Sequence, residues 1–398
     1  MKRFLTLLLA LAGIHGLAAA PTTGLVNGNP PDIKTLKVGD AAPDFELPGI
    51  DGKNHKLAEY AGGEALVVLF TSNHCPTSHS IERRLQKFYD EYKAKGVKLV
   101  AINPNHPDGL SKDELGYGEY GDSFEEMKPY ATKNGWTFDY LYDGEKQLIA
   151  RAYGCLATPH VFIFDKELKL RYKGRFDDSR FYDDATVKSK DAQNAVDQIL
   201  AGKPVTLAET KPMGCSTKWR EKKALHVAKH EGWAKTPVKV EAIDAAGIAK
   251  LRANPTNKYR LINVWATWCA PCVQEMPDIV ELSRKFDMRD FEVVTISLDK
   301  PADLPKAEAF LFKQAAGLSA KVANSVKKEG RTTNHYLFAG SMDELTAVLD
   351  KEMPGPIPHT IVVAPGGEVV YRHNGLLNRE DVANAILDKM NRYWSQKK

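Results

Sequence analysis

The sequence predicts an α/β protein made of two similar units, each a mixed, mostly parallel sheet flanked by helices. Two observations support this. First, apolar runs typical of strands alternate with amphipathic helix patterns, and the same order occurs twice. Second, each half has a cysteine at a strand-to-helix turn and a Pro-His pair further along. Cys75 precedes Pro159 by 84 residues, and Cys272 precedes Pro358 by 86, so the two halves follow one plan.

The composition is that of a soluble, folded protein. The chain has 398 residues, which suggests two or three domains of about 150 residues each. Hydrophobic residues make up 43% and charged residues 27%, which excludes a disordered chain. The net charge of +4 does not favour nucleic acid as a partner. Five cysteines are too few for a small scaffold held together by disulfides.

The first 20 residues have the pattern of a secretory signal peptide. Two basic residues are followed by an apolar run over 4–17 and by small residues over 18–20. The run is shorter than the roughly 20 residues of a membrane span. We expect cleavage after Ala18 or Ala19, and an uncleaved membrane anchor is the alternative. Export would place the cysteines in an oxidising compartment.

The first unit is expected over residues 36–203. An all-apolar run predicts a strand buried on both faces, and a turn with Cys75 follows it. Apolar residues at spacings of three and four then predict an amphipathic helix. The expected strands are 66–70, 97–102, 161–164 and 168–172, and the expected helices are 80–95 and 192–200.

The second unit, over residues 238–398, repeats this order. Residues 204–237, with Cys215, are expected to be a linker without a clear strand, although the charged stretch 217–231 suits a short exposed helix. The segment 300–355 either shapes a partner surface or decorates the surface. The expected strands are 261–265, 291–298, 360–363 and 368–371, and the expected helices run from the second cysteine turn to about 286 and over 379–393.

The strongest chemical signal is the motif Trp268-Cys269-Ala270-Pro271-Cys272, which follows a strand and opens a helix. The start of a helix stabilises a thiolate through its free amide donors and its dipole. Two intervening residues allow the sulfurs to alternate between dithiol and disulfide. The alternatives are a structural disulfide and half of a zinc site. No second ligand pair follows at zinc spacing, so we expect no metal.

The stretch 263–277 around this motif resembles thioredoxin-fold oxidoreductases, in particular exported bacterial proteins of the TlpA and ResA type, over about 238–389. The resemblance implies a thioredoxin-like fold, with Cys269 as the nucleophile and Cys272 as the resolving thiol. It implies that Pro358 is a cis-proline facing them, with Ile357 offering backbone to a bound partner. Glu275 matches a carboxylate that tunes the thiols in the exported relatives.

The first unit keeps one cysteine of the motif and has Ser78 at the second position. The stretches 38–45, 73–76 and 174–178, together with Thr158-Pro159, resemble the peroxiredoxin-like group of AhpC/TSA redoxins. The chain would therefore hold two thioredoxin-like folds in tandem. It departs from true peroxiredoxins at Val68 and Ser72, where they have a proline and a threonine, which puts a peroxide pocket in doubt.

Three pairings are open among Cys75, Cys155 and Cys215. We favour Cys75 with Cys215, because a cysteine on a flexible segment can approach a reactive thiol. The alternatives are a buried, inert Cys155 and a structural disulfide at Cys215. His74 and His79 flank the thiol and are expected to tune it or to lie exposed; copper binding by Cys75 with His79 is a further alternative.

These features predict an exported thiol–disulfide oxidoreductase, periplasmic or secreted, without a cofactor. Its expected partners are protein disulfides or dithiols and a membrane electron donor. The first unit would be a second thiol centre, with Pro159 and Ser78 supporting Cys75 as Trp268 and Pro358 support Cys269. Two other classes stay open: a thiol-dependent peroxidase, and a module whose first unit only binds metal or clients. The sequence leaves the direction of electron flow and the oligomeric state open.

Overall fold

The computed structural model describes residues 24–26 and 28–394, and the expected signal peptide lies outside them. The predicted fold class is confirmed: two α/β units follow one another along the chain. Within the described part of the chain, no helix has the length and apolar character needed to cross a membrane.

The first unit is built on a five-stranded sheet. Its elements are β1 (Glu46–Pro48), β2 (Asn54–Lys56), β3 (Ala65–Phe70), α1 (Pro76–Tyr92), β4 (Val97–Asn103), α2 (Phe124–Lys133), β5 (Asp139–Tyr142), α3 (Leu148–Tyr153), β6 (Ala157–Thr158), β7 (His160–Asp165), β8 (Leu170–Gly174) and α4 (Asp191–Leu200). The strand order is β5-β4-β3-β7-β8. The strands β3, β4 and β5 are parallel, whereas β7 and β8 form the antiparallel hairpin that the sequence predicts.

Both faces of this sheet are covered, as its uninterrupted apolar strands require. Side chains alternate along β3, so that Val67 packs with α1, α2 and α4 while Leu66 packs with α3 on the other face. The helix α1 begins at Pro76 rather than at the expected residue 80. A proline fits this first position because no backbone donor is needed there.

The segment expected to be a linker contributes to the first unit. It contains the short strand β9 (Cys215–Ser216) and the helix α5 (Lys223–Lys235). The strand β9 pairs antiparallel with β6, and Trp219 is buried in the core of the first unit. The expectation that this segment lacks a strand was wrong, because a two-residue strand has no periodicity from which to predict it.

The second unit is built on a six-stranded sheet. Its elements are β10 (Val240–Ala242), α6 (Ala245–Ala253), β11 (Tyr259–Trp265), α7 (Ala270–Lys285), β12 (Phe291–Ser297), α8 (Leu304–Lys313), α9 (Ala320–Lys328), β13 (His335–Leu337), α10 (Met342–Leu349), β14 (His359–Val363), β15 (Val369–Asn374) and α11 (Arg379–Met390). The strand order is β10-β13-β12-β11-β14-β15, with the last two strands antiparallel to their neighbours.

Two features of this unit differ from expectation. The segment 300–355 is not only surface decoration, because β13 lies inside the sheet between β10 and β12. The last helix ends at Met390 instead of continuing to 393, since Asn391 has a positive φ of 65° that no helical residue adopts.

Candidate functional site

Cys269 and Cys272 form a disulfide at the start of α7, directly after the buried strand β11. Their Cα atoms are 5.3 Å apart. Pro271 occupies the first turn of the helix, and the backbone N–H of Cys272 points to Sγ of Cys269 at 3.3 Å. Cys272 is fully buried and Cys269 is 6% exposed. Cys269 is therefore the more accessible sulfur of the two, as expected for the nucleophile that the family resemblance implies.

Pro358 lies beside this disulfide and follows a cis peptide bond from Ile357. The carbonyl oxygen of Ile357 is 3.6 Å from Sγ of Cys269. On the other side, the Trp268 side chain projects into solvent and is 64% exposed. The structure thus brings these predicted residues together in one open surface around the Cys269 sulfur.

Glu275 is buried one helical turn beyond Cys272. Its carboxylate accepts hydrogen bonds from the Asn263 side chain at 2.8 Å and from the backbone N–H of Leu377 at 3.0 Å. Burial raises the pKa of Glu275, and the two hydrogen bonds only partly oppose this effect. A carboxyl group of this kind can take up or release a proton close to the resolving thiol.

The first unit repeats the same local geometry around Cys75. This cysteine caps α1 directly before Pro76, and Thr158-Pro159 opposite it is a cis peptide bond. The Cys75 thiol lies 3.1 Å from the carbonyl oxygen of Thr158. The Ser78 hydroxyl, expected to bond the thiolate, has no hydrogen-bond partner among the described residues. The backbone N–H of Ser78 helps to lower the pKa of Cys75 instead.

Cys215 is the partner that the structure brings to Cys75. The pairing of β9 with β6 sets Cys215 opposite Thr158, whose carbonyl oxygen lies 3.1 Å from the Cys75 thiol. Burial raises the pKa of Cys75, but the neighbouring Cys215 side chain and the electrostatic effect of His74 outweigh burial and hold this pKa well below its usual value. The neighbouring Cys75 side chain and burial raise the pKa of Cys215. Cys75 is therefore the more acidic thiol of the two.

Cys155 is not part of this pair. It is buried on the sheet face that α3 covers, and its thiol lies 3.3 Å from the carbonyl oxygen of Ala157. Burial raises the pKa of Cys155 to about 12, which makes it a poor nucleophile. The structure therefore places it as a small apolar core residue.

Sequence reasoning missed two pairs of polar side chains beside these cysteines, one buried and one partly buried. His74 Nδ1 lies 2.5 Å from the Asp122 carboxylate, and Lys218 pairs with Glu114. Burial raises the pKa of Glu114, but the positive charge of Lys218 lowers it to about 2. No signal in the sequence links these residues, because the partners lie far apart along the chain and belong to no motif.

His79 is buried and has no free ring nitrogen. Its two nitrogens lie 2.6 Å from the carbonyl oxygens of Asn73 and Arg392. No group of three or more metal-ligating side chains occurs within residues 24–26 and 28–394. Nothing in this geometry favours the copper alternative for Cys75 and His79.

The two thiol centres lie at opposite ends of α7. At its C-terminal end, Lys285 donates a hydrogen bond of 3.0 Å to the carbonyl oxygen of Gly118 in the first unit. Gly118 lies against Asn73 and His79, next to Cys75. Cys269 is at the other end of this helix of 16 residues, which is about 24 Å long. Disulfide exchange needs direct sulfur contact, so the two centres do not meet in this arrangement.

The fold and the two cysteine turns together define a tandem thioredoxin-fold protein with a disulfide between two cysteines of one helical turn in its second unit. The chain belongs to the AhpC/TSA family, whose sequence profile matches residues 38–173 and 238–372, more than half of the chain.

Curated relatives cover one unit each. The thiol-disulfide oxidoreductase ResA of Geobacillus thermodenitrificans is 27% identical over 136 residues, which are 34% of this chain and 68% of that protein. A protein of Mycobacterium tuberculosis named as a peroxiredoxin, Rv2521, is 24% identical over 153 residues, or 34% of this chain and 96% of that protein.

Among solved structures, an uncharacterized conserved protein from Geobacillus kaustophilus is 36% identical. It covers 47% of this chain and 94% of its own, with a TM-score of 0.42. A protein from Chlorobium tepidum named as the thiol:disulfide interchange protein DsbE is 21% identical. It covers 42% of this chain and 98% of its own, with a TM-score of 0.31.

Proposed function

We propose that this chain is an exported thiol–disulfide oxidoreductase that exchanges disulfides with protein partners through Cys269 and Cys272. The observation that carries this proposal is the open surface around Cys269, which lies at a helix start with the backbone of Ile357 beside it. The names of the ResA and DsbE relatives point to the same chemistry. The leader pattern over 1–20 supports export to the periplasm or out of the cell. In this proposal a dithiol carrier in the membrane supplies the electrons.

In the reduced form, the Cys269 thiolate attacks one sulfur of a partner disulfide. The partner's S–S bond breaks, and its leaving thiolate takes up a proton. Cys272 then loses its proton and attacks the Cys269 sulfur, which releases the second partner thiol and restores the disulfide. Two electrons pass from the chain to the partner, and the reverse sequence oxidises a partner dithiol. Glu275, buried one helical turn after Cys272, would accept the Cys272 proton in this scheme.

Reduction of insulin by dithiothreitol, followed as turbidity, tests this function. The variant Cys269→Ser is expected to lose catalysis entirely, because the attacking sulfur is gone. The matched variant Cys75→Ser replaces the equivalent cysteine of the first unit and is expected to keep the wild-type rate. Full activity of Cys269→Ser, or loss of activity in Cys75→Ser, would contradict the assignment.

The first unit, in this proposal, is a second centre in which Cys75 and Cys215 alternate between dithiol and disulfide. The strand pairing that sets Cys215 opposite Thr158, beside the Cys75 thiol, supports it, as does the lowered pKa of Cys75. When the Cys75 thiolate attacks a partner disulfide, the partner's S–S bond breaks, one partner thiolate leaves and takes up a proton, and the other partner sulfur stays bound to Cys75 in a mixed disulfide. Cys215 then gives up its proton and displaces the partner thiol. Because α7 separates the two centres, the first centre would exchange with its own partner rather than with Cys269.

Peptide mapping after treatment with diamide tests this pair. We expect a cross-link between Cys75 and Cys215 in the wild type and in Cys155→Ser, and none in Cys215→Ser. A link that involves Cys155 would contradict the pairing. Rapid oxidation of Cys75 by hydrogen peroxide, compared with its reaction with diamide, would instead favour the peroxidase alternative.

A further inference from the structure

The first thiol centre is closed by residues from the second unit. After α11 ends, the four residues Asn391–Trp394, here called the C-terminal segment, lie against the first unit. The backbone of Trp394 forms a parallel bridge with that of Phe181. The Trp394 indole N–H donates to the Thr77 hydroxyl at 3.2 Å, in the first turn of the helix that Cys75 caps. The segment is therefore anchored beside the Cys75 turn.

Two aromatic side chains of this segment fill a groove on the first unit. The centroid of the Trp394 ring lies 4.9 Å from that of Tyr117, and the Arg180 guanidinium lies over the Trp394 ring, 4.9 Å from its centroid. The Tyr393 ring stacks on Tyr182 with centroids 4.5 Å apart. Aromatic stacking and cation–π contacts of this kind are typical of residues that anchor an interface.

The backbone of the segment is tied to the same turn. The Arg392 carbonyl oxygen lies 2.6 Å from a ring nitrogen of His79, and the other ring nitrogen lies 2.6 Å from the Asn73 carbonyl oxygen. The Arg392 side chain pairs with Glu119 of the first unit. One histidine thus connects the C-terminal segment to the residues that precede Cys75.

The result is a difference in access between the two centres. Cys75 has no exposed surface, whereas Cys269 is 6% exposed beside a Trp268 that is 64% exposed. The C-terminal segment therefore lies beside the Cys75 turn, while Cys215 is partly exposed.

We propose that the groove formed by Thr77, Tyr117, Arg180 and Tyr182 is the docking site for a polypeptide partner of the Cys75 centre, and that the C-terminal segment occupies this groove as an internal competitor. The partner is an extended strand with adjacent aromatic side chains. The segment itself is the template for this partner, since it binds by a backbone bridge and two neighbouring rings, a mode that an added strand can reproduce. The proposal rests on the proposed function of Cys75 as a reactive thiol.

Alkylation of Cys75 in the reduced full-length protein tests this competition. N-ethylmaleimide labelling, quantified by mass spectrometry, is expected to be about tenfold faster in Trp394→Ala, the size of change that follows removal of an aromatic anchor. Phe312→Ala removes an exposed aromatic side chain elsewhere in the second unit and is expected to leave the rate unchanged. A synthetic peptide of residues 388–398 is then added in trans. It is expected to slow the labelling of Trp394→Ala, whereas the same peptide with alanine at 393 and 394 is not.

Each outcome decides the proposal. An unchanged labelling rate in Trp394→Ala would show that the segment does not control access. Faster labelling that the peptide fails to slow would show that the groove does not take an extended strand.

Arg180→Ala changes an exposed side chain of the groove and gives a second test that leaves the core intact. Labelling of Cys269 and Cys272 in the same samples reports whether the second unit is still folded. Alkylation needs no exchange partner, so failure of the redox proposal for Cys75 is seen separately, in the diamide mapping.

Discussion

The two thiol centres share one helix-start geometry around the first cysteine but differ in where the second cysteine comes from. Each has a buried strand, a cysteine that caps a helix, a proline in the first turn and a cis-proline opposite. In the second unit the other sulfur comes from the same helix, three residues on, and the pair lies beside the exposed Trp268. In the first unit it comes from β9, 140 residues away, and Cys75 is fully buried while Cys215 is partly exposed. The shared fold thus places one cysteine at the same helix start in both units. The second cysteine of each centre comes from a different element, α7 in one unit and β9 in the other.

Burial of the first centre has an electrostatic consequence. Cys75 and Cys215 lie among charged groups that are themselves paired, His74 with Asp122 and Lys218 with Glu114. In the second unit the buried carboxyl group of Glu275 is instead held by hydrogen bonds from uncharged groups. A thiolate away from water needs compensating charge, and each of those charges needs a partner in turn.

The largest expected effect is a change of disulfide partner when the first unit is given the two-cysteine spacing of the second. Ser78→Cys places a thiol three residues after Cys75 on the same helix, the spacing that joins Cys269 and Cys272. We expect oxidation to link Cys75 with this introduced thiol in place of Cys215, because a local pair closes with the smaller loss of chain entropy. Peptide mapping of the oxidised variant measures this. Ser80→Cys, at another buried serine of α1, is the control and should leave the link to Cys215 intact. Persistence of that link in Ser78→Cys would break the comparison.

The next effect is on stability. Lys218→Met leaves the Glu114 carboxylate unpaired in a largely buried site, so we expect the free energy of unfolding of the first unit to fall by about 3 kcal/mol. The double variant Lys218→Met/Glu114→Gln removes both charges and should recover most of this loss. Urea unfolding of the two variants and the wild type at pH 7 provides the measurement. An equal loss in the single and double variants would mean that packing, not charge, is responsible.

The smallest expected effect is a pH-dependent change in stability on replacing Glu275, near the Cys269–Cys272 disulfide. Burial raises the pKa of Glu275 above its ordinary value of 4.5. The protonated carboxyl is favoured in the folded state, so the contribution of Glu275 to stability is complete below pH 4.5 and is lost as the pH rises through the raised pKa. Glu275→Gln should therefore match the wild type at pH 4 and exceed it in stability at pH 8, by less than the loss in Lys218→Met. Melting curves of the oxidised protein measure this.

The control for this last prediction is Glu368→Gln, at an exposed carboxylate in the turn between β14 and β15. It should track the wild type at both pH values. If Glu275→Gln were less stable than the wild type at pH 8, the hydrogen bonds of the ionised carboxylate would outweigh its burial.

What the sequence determined by itself is local. Apolar runs along the chain predict four of the five strands of the first sheet and four of the six strands of the second. The spacing of Cys269, Pro271 and Cys272 predicts the disulfide, because residues three apart lie on one side of a helical turn. The repeated prolines, Pro159 and Pro358, predict which residues lie opposite Cys75 and Cys269 in the two centres. These features depend on residues close in sequence or on a plan that the chain uses twice.

What only the tertiary structure decided is long-range. Pairing of β9 with β6 brings Cys215 to Cys75, the buried partners of His74 and Lys218 come from distant loops, and packing of the two units places Trp394 over the Cys75 turn. Neither a two-residue strand nor a four-residue C-terminal segment has a periodicity of its own. Their positions follow from the burial and hydrogen bonding of the surfaces they join, which exist only once the chain has folded.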